Sequence, residues 1–191
     1  MASIALIGMP GGGKSTVGRH LARRLGRSFA DSDTVIEQRL GETIRSFFER
    51  EGEPAFRDLE QEVIGELTER PDLVLATGGG SVLRAANRAA LHGRCTTVYL
   101  RSTPEELWRR LRHDTHRPLL QVADPLRKLR ELFAERDPLY RQTAHFVVET
   151  GRPPVPTLVN MILMQLELAG VVDPASVPSV VGSARPPTAA A

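Results

Sequence analysis

The segment GMPGGGKST, residues 8–16, carries the residue types that bind a nucleotide phosphate. Gly8, Gly13, Lys14 and Ser15 fit the spacing G-x-x-x-x-G-K-[ST], in which a glycine backbone turns its amides toward a phosphate. In such loops the lysine reaches the terminal phosphates and the first hydroxyl ligates Mg²⁺. The alternative is a glycine-rich turn between a strand and a helix. We predict a nucleotide-binding loop with its contacts at Gly11, Gly12, Gly13, Lys14, Ser15 and Thr16.

Two carboxylates, Asp31 and Asp33, follow the next strand-like segment in the sequence DSD. Beside a phosphate loop, such a pair can serve Mg²⁺ and an acceptor hydroxyl. The alternative is N-capping of the following helix by Ser32 or Asp33, a common role of these residue types. Both roles are compatible, so the sequence predicts an acidic site here and leaves the capping residue open.

Three consecutive glycines, Gly78, Gly79 and Gly80, end another strand-like segment. A run of glycines costs backbone entropy, and we expect no packing role for it. Close approach of a ligand to the backbone is the function that this pattern favours. A flexible turn is the alternative.

Three arginines lie in polar segments later in the chain. Taken alone, Arg57 in FRDLE favours a solvent-facing ion pair with Asp58 or Glu60. Arg117 precedes a proline, which disfavours helix, and it lies in a segment, 110–120, of about the length of a lid. Arg136 in ERDPLY is compatible with an arginine on a helix surface.

The elements that must position these residues alternate along the chain. Short runs that are apolar on both alternations, typical of buried parallel strands, lie at 3–8, 28–31, 73–77, 96–100 and 145–149. Helical patterns lie at 14–25, 33–50 with a break at Gly41, about 55–69, 81–91, 104–112, 124–143 and 156–169. This alternation predicts a three-layer α/β domain in which ligands bind at the carboxyl ends of the strands.

Composition bounds the class of protein. With 191 residues, 41% hydrophobic and 25% charged, the chain is long enough for one domain with its own core. Residues 171–191 hold four prolines, many small residues and two charges. We therefore predict a domain over 1–170 and a Pro/Ala-rich, disordered tail over 171–191.

Several classes of partner are disfavoured. A net charge of +2, dispersed arginines and few aromatic residues argue against nucleic acid. No apolar run approaches 18 residues and no signal peptide pattern precedes the first strand, so we expect no membrane association. The single cysteine, Cys95, suits core packing and a reducing, cytoplasmic compartment. The five histidines show no ligand spacing, and we predict no structural metal site.

Six motifs stand in a fixed order: GMPGGGKST, DSD, GEPAFRDLE, GGG, RPLL and RDPLY. Each is weak alone, but the ordered set, over residues 2–169, resembles the shikimate kinase family. Pro10 and Gly12 vary the loop of that family, and His113 replaces a base that is common before the lid aspartate. The last departure leaves open which arginine, besides Arg117, contacts the nucleotide.

The resemblance implies a P-loop kinase fold with a five-stranded parallel sheet, helices on both faces and a mobile lid. It implies transfer of the γ-phosphoryl group of ATP, with Mg²⁺, to the 3-hydroxyl of shikimate, by a cytoplasmic monomer. The implied catalytic residues are Lys14, Asp33 and Arg117, and Arg117 and Arg152 also contact the nucleotide. The implied metal ligands are Ser15 and Asp31. The implied shikimate-binding residues are Asp33, Arg57, Gly78, Gly79, Gly80 and Arg136.

Two other functions fit parts of the pattern. A gluconate or nucleoside monophosphate kinase of the same fold is one, and an arginine pair does not exclude gluconate because it too carries a carboxylate. The ordered DSD, FR and GGG motifs argue against both substrates. A non-enzymatic nucleotide-binding regulatory domain is the other, and the presence of Asp33, Arg57 and Arg136 argues against it.

Overall fold

A computed structural model describes residues 2–113 and 122–177. The strands are β1 (Ser3–Ile7), β2 (Ser28–Asp31), β3 (Leu73–Ala76), β4 (Cys95–Arg101) and β5 (Phe146–Glu149). The helices are α1 (Lys14–Leu25), α2 (Ser32–Leu40), α3 (Ile44–Glu51), α4 (Glu53–Glu69), α5 (Ala85–Arg94), α6 (Pro104–Leu111), α7 (Pro125–Thr143) and α8 (Val155–Leu168).

The five strands form one parallel sheet in the order β2-β3-β1-β4-β5. This confirms the predicted five-stranded parallel sheet. The expectation that every strand is fully buried is wrong for β2 and β5, which are partly exposed. Both are edge strands, so each has a neighbouring strand on one side only, whereas β1 and β3 are buried at every residue.

Helices cover both faces of the sheet, which confirms the three-layer prediction. Ile4 and Leu6 of β1 face a cluster built with α1 and α8. Ala5 and Ile7 face the opposite cluster, to which α2 and α4–α7 contribute. Because side chains alternate along a strand, one five-residue apolar strand serves two cores.

The predicted helix over 81–91 is wrong in its first turn. Residues Ser81–Leu83 form a 3-10 turn, and α5 begins at Ala85 after an extended residue. Side chains of α5 take the carbonyls of that turn: Asn87 Nδ2 donates to Ser81 O at 2.9 Å, and Arg88 Nη1 donates to Val82 O at 2.8 Å. The chain therefore changes direction between the glycine triplet, which follows β3, and the start of α5.

Part of the predicted tail packs on the domain. Val172 is 3% exposed and joins the cluster of α1 and α8, with Val171 and Val177 against it. The Asp173 carboxylate caps a 3-10 turn by accepting from Ala175 N at 2.9 Å. Residues 171–177 thus contribute to the core, and residues 178–191 lie outside the described chain.

Two further sequence predictions concern single features. Cys95 is buried in the core, as expected, and burial raises the pKa of its thiol to about 11. Among the described helices, none combines the length and apolar character that crossing a membrane requires.

Candidate functional site

The phosphate loop joins β1 to α1, so the predicted strand–loop–helix arrangement is confirmed. Gly8 has φ 148°, and a Cβ there would lie 2.5 Å from Leu100 O, so no larger residue fits. Gly13, at φ 84°, is the N-cap of α1 and directs the first amides of that helix to the loop. Lys14 is 7% exposed, and its Nζ donates to the carbonyls of Gly8 and Met9 at 2.8 Å each.

Asp31 connects the phosphate loop to α2. Its Oδ2 accepts a hydrogen bond from Ser15 Oγ, and its Oδ1 accepts from the amides of Asp33 and Thr34 at 3.0 and 3.3 Å. Asp31 is therefore the N-cap, and the capping alternative at Ser32 or Asp33 is wrong. The same contacts fix Asp31 beside Ser15, as a shared Mg²⁺ site requires.

Asp33 projects from the first turn of α2 toward the glycine triplet. A Cβ on Gly78 would lie 2.7 Å from Asp33 Oδ1, so the glycine makes this approach possible. The pKa of Asp33 is raised to about 6, chiefly by burial and also by the negative charges of Asp31 and Glu60, while the positive charge of Lys14 acts in the opposite direction. A carboxylate with this pKa is ionised at neutral pH and still basic enough to receive a proton.

The glycine triplet is held by the protein's own side chains. A Cβ on Gly79 would lie 2.5 Å from Pro10 Cγ of the phosphate loop, and one on Gly80 would run into the Arg57 guanidinium. The expectation that these glycines have no packing role is wrong. Gly78 allows α2 to approach, Gly79 the phosphate loop and Gly80 α4. The triplet is therefore a packing contact of three elements, and the alternative of a flexible turn is not favoured.

Arg57 on α4 pairs with Glu60 one turn later. Its Nη1 donates to Glu60 Oε1 at 2.7 Å, and its Nε donates to Glu53 Oε1 at 3.3 Å. The side chains of Arg57 and Glu60 are 13% and 1% exposed, so the predicted partner is confirmed and the predicted solvent-facing environment is wrong. Burial raises the pKa of Glu60, although Arg57 and Arg136 act in the opposite direction.

Arg136 and Tyr140 extend this cluster from α7. The positive charge of Arg136 acts to lower the pKa of both Glu60 and Tyr140, against the effect of burial. Its Nε is buried and makes no hydrogen bond within the described residues. Tyr140 Oη donates to Gly79 O at 2.5 Å. The sequence analysis named neither Glu60 nor Tyr140 as a site residue, although each follows an arginine at helical spacing and Tyr140 ends the RDPLY motif.

The segment after β5 adjoins the phosphate loop through β4. The Ser102 hydroxyl contacts that of Thr150, and a Cβ on Gly12 would lie 3.7 Å from Ser102 Oγ. Arg110 Nη2 donates to Thr150 O at 2.7 Å, and Arg152 is exposed two residues further on. Arg110 and Thr150 therefore lie on the Ser102 side of the loop, and Arg152 follows Thr150 closely along the chain.

Arg117 lies outside the described residues, because the structure leaves out 114–121. The start of the predicted lid does lie at the site. A Cβ on Gly11 would lie 2.7 Å from Leu111 Cδ1, at the end of α6. The described start of that segment, residues 110–113, thus lies next to the phosphate loop.

A cavity of about 360 Å³ lies between the phosphate loop, the two aspartates and the glycine triplet. Its lining residues include Pro10, Lys14, Ser15, Asp31, Asp33 and Gly79. A neighbouring groove of about 780 Å³ extends from Ser15, Asp31 and Asp33 toward Ile44 and Phe48 on α3. Among the described residues, no three His, Cys, Asp or Glu side chains cluster as a metal cage. A hydroxyl and one carboxylate fit Mg²⁺ instead, which keeps several waters and binds substrate phosphates.

Comparison with known proteins decides the family. The profile of the shikimate kinase family matches residues 10–167. The chain belongs to the shikimate kinase family. A shikimate kinase of Paracidovorax citrulli (strain AAC00-1) is 65% identical over 175 residues, which cover 90% of this chain and 96% of that protein. One of Burkholderia thailandensis (strain E264) is 58% identical over 89% of this chain and 92% of that protein.

Solved structures of the shikimate kinase family agree. The shikimate kinase of Acinetobacter baumannii in complex with shikimate superposes with a TM-score of 0.83 at 49% identity, covering 89% of this chain and 94% of that one. The resemblance that the ordered motifs predicted is thereby confirmed, as is the P-loop kinase fold.

Proposed function

We propose that this protein transfers the γ-phosphoryl group of ATP to the 3-hydroxyl of shikimate, giving shikimate 3-phosphate and ADP. The observation that carries the proposal is the meeting, at one rim of the sheet, of two different binding sets. One is the phosphate loop with the Ser15–Asp31 pair. The other is Asp33, the glycine triplet and the buried Arg57–Glu60 pair. Kinase chemistry on a small anionic alcohol needs both sets.

The phosphate end of the site orients ATP and balances its charge. The loop amides and Lys14 hold the phosphates, and the Lys14 ammonium exchanges its carbonyl partners for phosphate oxygens. Ser15 and Asp31 would hold Mg²⁺, with Asp31 acting through the water shell of the ion. The ion, when bound, neutralises charge on the β- and γ-phosphates. Positioning and charge balance of this kind supply most of the catalysis in phosphoryl transfer.

The acceptor end of the site orients shikimate and receives a proton. Asp33 accepts the hydrogen bond of the attacking hydroxyl and takes its proton as the new bond forms. The Arg57 and Arg136 guanidinium groups recognise the shikimate carboxylate, to which their planar forks are suited. Gly79 and Gly80 let the backbone approach the ring hydroxyls, with Gly78 leaving room for Asp33.

We further propose that Arg117 closes with the lid over the transferred group, and that Arg152 contacts the adenine side of ATP with Gly11, Gly12 and Thr16 on the phosphates. The protein acts as a cytoplasmic monomer without nucleic acid or membrane partners. We propose a kinase domain over 1–170, against which Val171, Val172 and Val177 pack.

A substrate panel tests the activity. Release of ADP is measured with shikimate, quinate, gluconate and nucleoside monophosphates, and Lys14→Ala is the control for contaminating kinases. We expect turnover with shikimate alone, and loss of the Lys14 ammonium to cost about 3 kcal/mol of transition-state stabilisation or more. Preferential turnover of gluconate or a nucleoside monophosphate would replace shikimate as the assigned substrate. ATP binding without turnover of any of these compounds would favour a regulatory domain.

Paired truncations test the domain boundary. Removal of 178–191 is expected to leave the melting temperature unchanged. Removal of 171–191 also deletes Val172, and we expect it to lower the melting temperature by roughly 2–4 °C per kcal/mol of lost burial. Equal melting temperatures for the two truncations would show that the contacts of residues 171–177 contribute no stability.

A further inference from the structure

The hydroxyl of Tyr140 makes a partly buried hydrogen bond that the reaction itself does not use. Tyr140 is fully buried, and its Oη donates to Gly79 O at 2.5 Å across a separation of 61 residues. Burial raises the pKa of this phenol well above its usual value, so it remains a neutral donor. The bond joins α7 to the glycine triplet.

Both ends of this bond belong to the acceptor side of the site. Arg136 lies four residues before Tyr140 on α7, so the two side chains share one face of the helix. On the other side, Gly79 is in contact with Pro10, and Gly80 with Arg57. Tyr140 therefore connects the element that carries Arg136 to the backbone that meets Arg57.

We infer that Tyr140 is a positioning residue for the phosphate acceptor: its hydrogen bond to Gly79 O fixes the spacing between Arg136 and the backbone of the glycine triplet. This inference rests on the proposed function, because it assigns both partners to shikimate. Loss of the hydroxyl leaves the phosphate loop and its Ser15–Asp31 pair intact, so the effect belongs to shikimate and not to ATP.

Tyr140→Phe tests the inference, with Tyr99→Phe as the matched control. Tyr99 is also fully buried, its ring packs against Tyr140 with centroids 4.9 Å apart, and its hydroxyl donates to Asp137 at 2.9 Å instead of to the triplet. We expect Tyr140→Phe to raise KM for shikimate about tenfold, because the half-buried Gly79 carbonyl loses its donor and the glycine triplet is no longer tied to α7. KM for ATP should stay within about twofold in both variants.

The outcomes separate the two proposals. If the unmodified protein does not turn over shikimate, the proposed function fails. If it does, and Tyr140→Phe leaves KM for shikimate unchanged, raises both KM values equally, or has no larger effect than Tyr99→Phe, the inference is overturned. Reduced melting temperatures of equal size in the two variants, with only Tyr140→Phe impaired toward shikimate, support it.

Two further measurements address the link between the elements. Combined with Arg136→Lys, Tyr140→Phe should cost less than it does alone, because Arg136 is no longer there to be positioned; strictly additive effects overturn the inference. Hydrogen exchange of the unmodified protein needs no variant. Shikimate is expected to slow exchange in the peptides that span 78–83 and 133–143 together, and protection of only one overturns the link.

Discussion

Two arginine–glutamate pairs on α4 have the same chemistry and opposite environments. Glu66 receives hydrogen bonds from Arg39 of α2 at the solvent surface, and these bonds lower its pKa. Glu60 receives one from Arg57 at 2.7 Å inside the site, and there burial raises the pKa in spite of the arginine. An ion pair near water keeps its charges at little cost, whereas a buried pair bears the cost of desolvating both groups.

The difference shows what the buried pair is for. Exposed pairs contribute little because water screens their charges, whereas removing one partner of a buried pair costs about 3–5 kcal/mol. Glu60 is buried against Arg57, and the positive charge of Arg136 also acts on it. We expect its negative charge to offset part of the positive charge of the two guanidinium groups. Their mutual repulsion would otherwise oppose a two-arginine carboxylate site.

The largest expected effect lies at Asp33, a carboxylate whose pKa is raised by burial, as is that of Glu60. Asp33→Asn keeps the size of the side chain and removes the proton acceptor, so kcat should fall about 10²–10⁴-fold. The Kd for ATP should change little. A parallel loss of ATP binding would show that Asp33 serves Mg²⁺ and would exchange its role with that of Asp31.

The effects of Arg57→Ala and Arg39→Ala on kcat/KM for shikimate test the difference between the buried and the exposed pair directly. Loss of a charge-assisted bond worth about 1.5–3 kcal/mol should lower kcat/KM for shikimate roughly ten- to hundredfold in Arg57→Ala. Arg39→Ala should stay within about twofold of the unmodified enzyme. Arg57→Lys keeps a charge beside Glu60 and lacks the fork, so it should recover stability more than activity.

The methyl ester of shikimate is the complementary substrate for this pair of variants. The ester carries no carboxylate charge, so the unmodified enzyme should use it poorly and Arg57→Ala should impair it less than the acid. Equal slowing of ester and acid would return Arg57 to a structural role.

A smaller effect is expected in the pH profile. Because Asp33 must be ionised to accept a proton, kcat/KM should fall as the pH drops through about 6, the value to which its surroundings raise its pKa. Glu60→Gln removes a negative neighbour, so it should lower the pKa of Asp33 and move the acid limb to lower pH. Glu66→Gln should leave the limb in place, and an equal shift in both variants would contradict the assignment.

The smallest effect concerns stability. The pKa of Glu66 is lower in the folded protein than its ordinary 4.5, so on acidification the unfolded chain binds protons first. The contribution of the Arg39 pair is therefore complete above pH 4.5 and lost as the pH falls through the folded pKa. Glu66→Gln should lower the melting temperature slightly at pH 7 and less at pH 4, and a difference independent of pH would exclude the ion pair as its cause.

The elements and the chemical end of the site could be predicted from sequence because their signals are local. The loop at 8–16, the five strands and the helix break at Gly41 depend on neighbours a few residues away. The environment of Arg57 was not predictable in this way, because FRDLE is compatible with a solvated helix face until α4 is packed. The edge positions of β2 and β5 likewise depend on strand order, which no single strand encodes.

The sequence by itself determined the residue types: a lysine and hydroxyl after a glycine loop, two carboxylates, three glycines and spaced arginines, in an order specific to one family. Tertiary structure decided how they act on one another. Packing buried Glu60 against Arg57, raised the pKa of Asp33, and placed Pro10, Arg57 and Tyr140 around the glycine triplet. The physical reason is that desolvation and charge coupling depend on distance in space, whereas a motif records only distance along the chain.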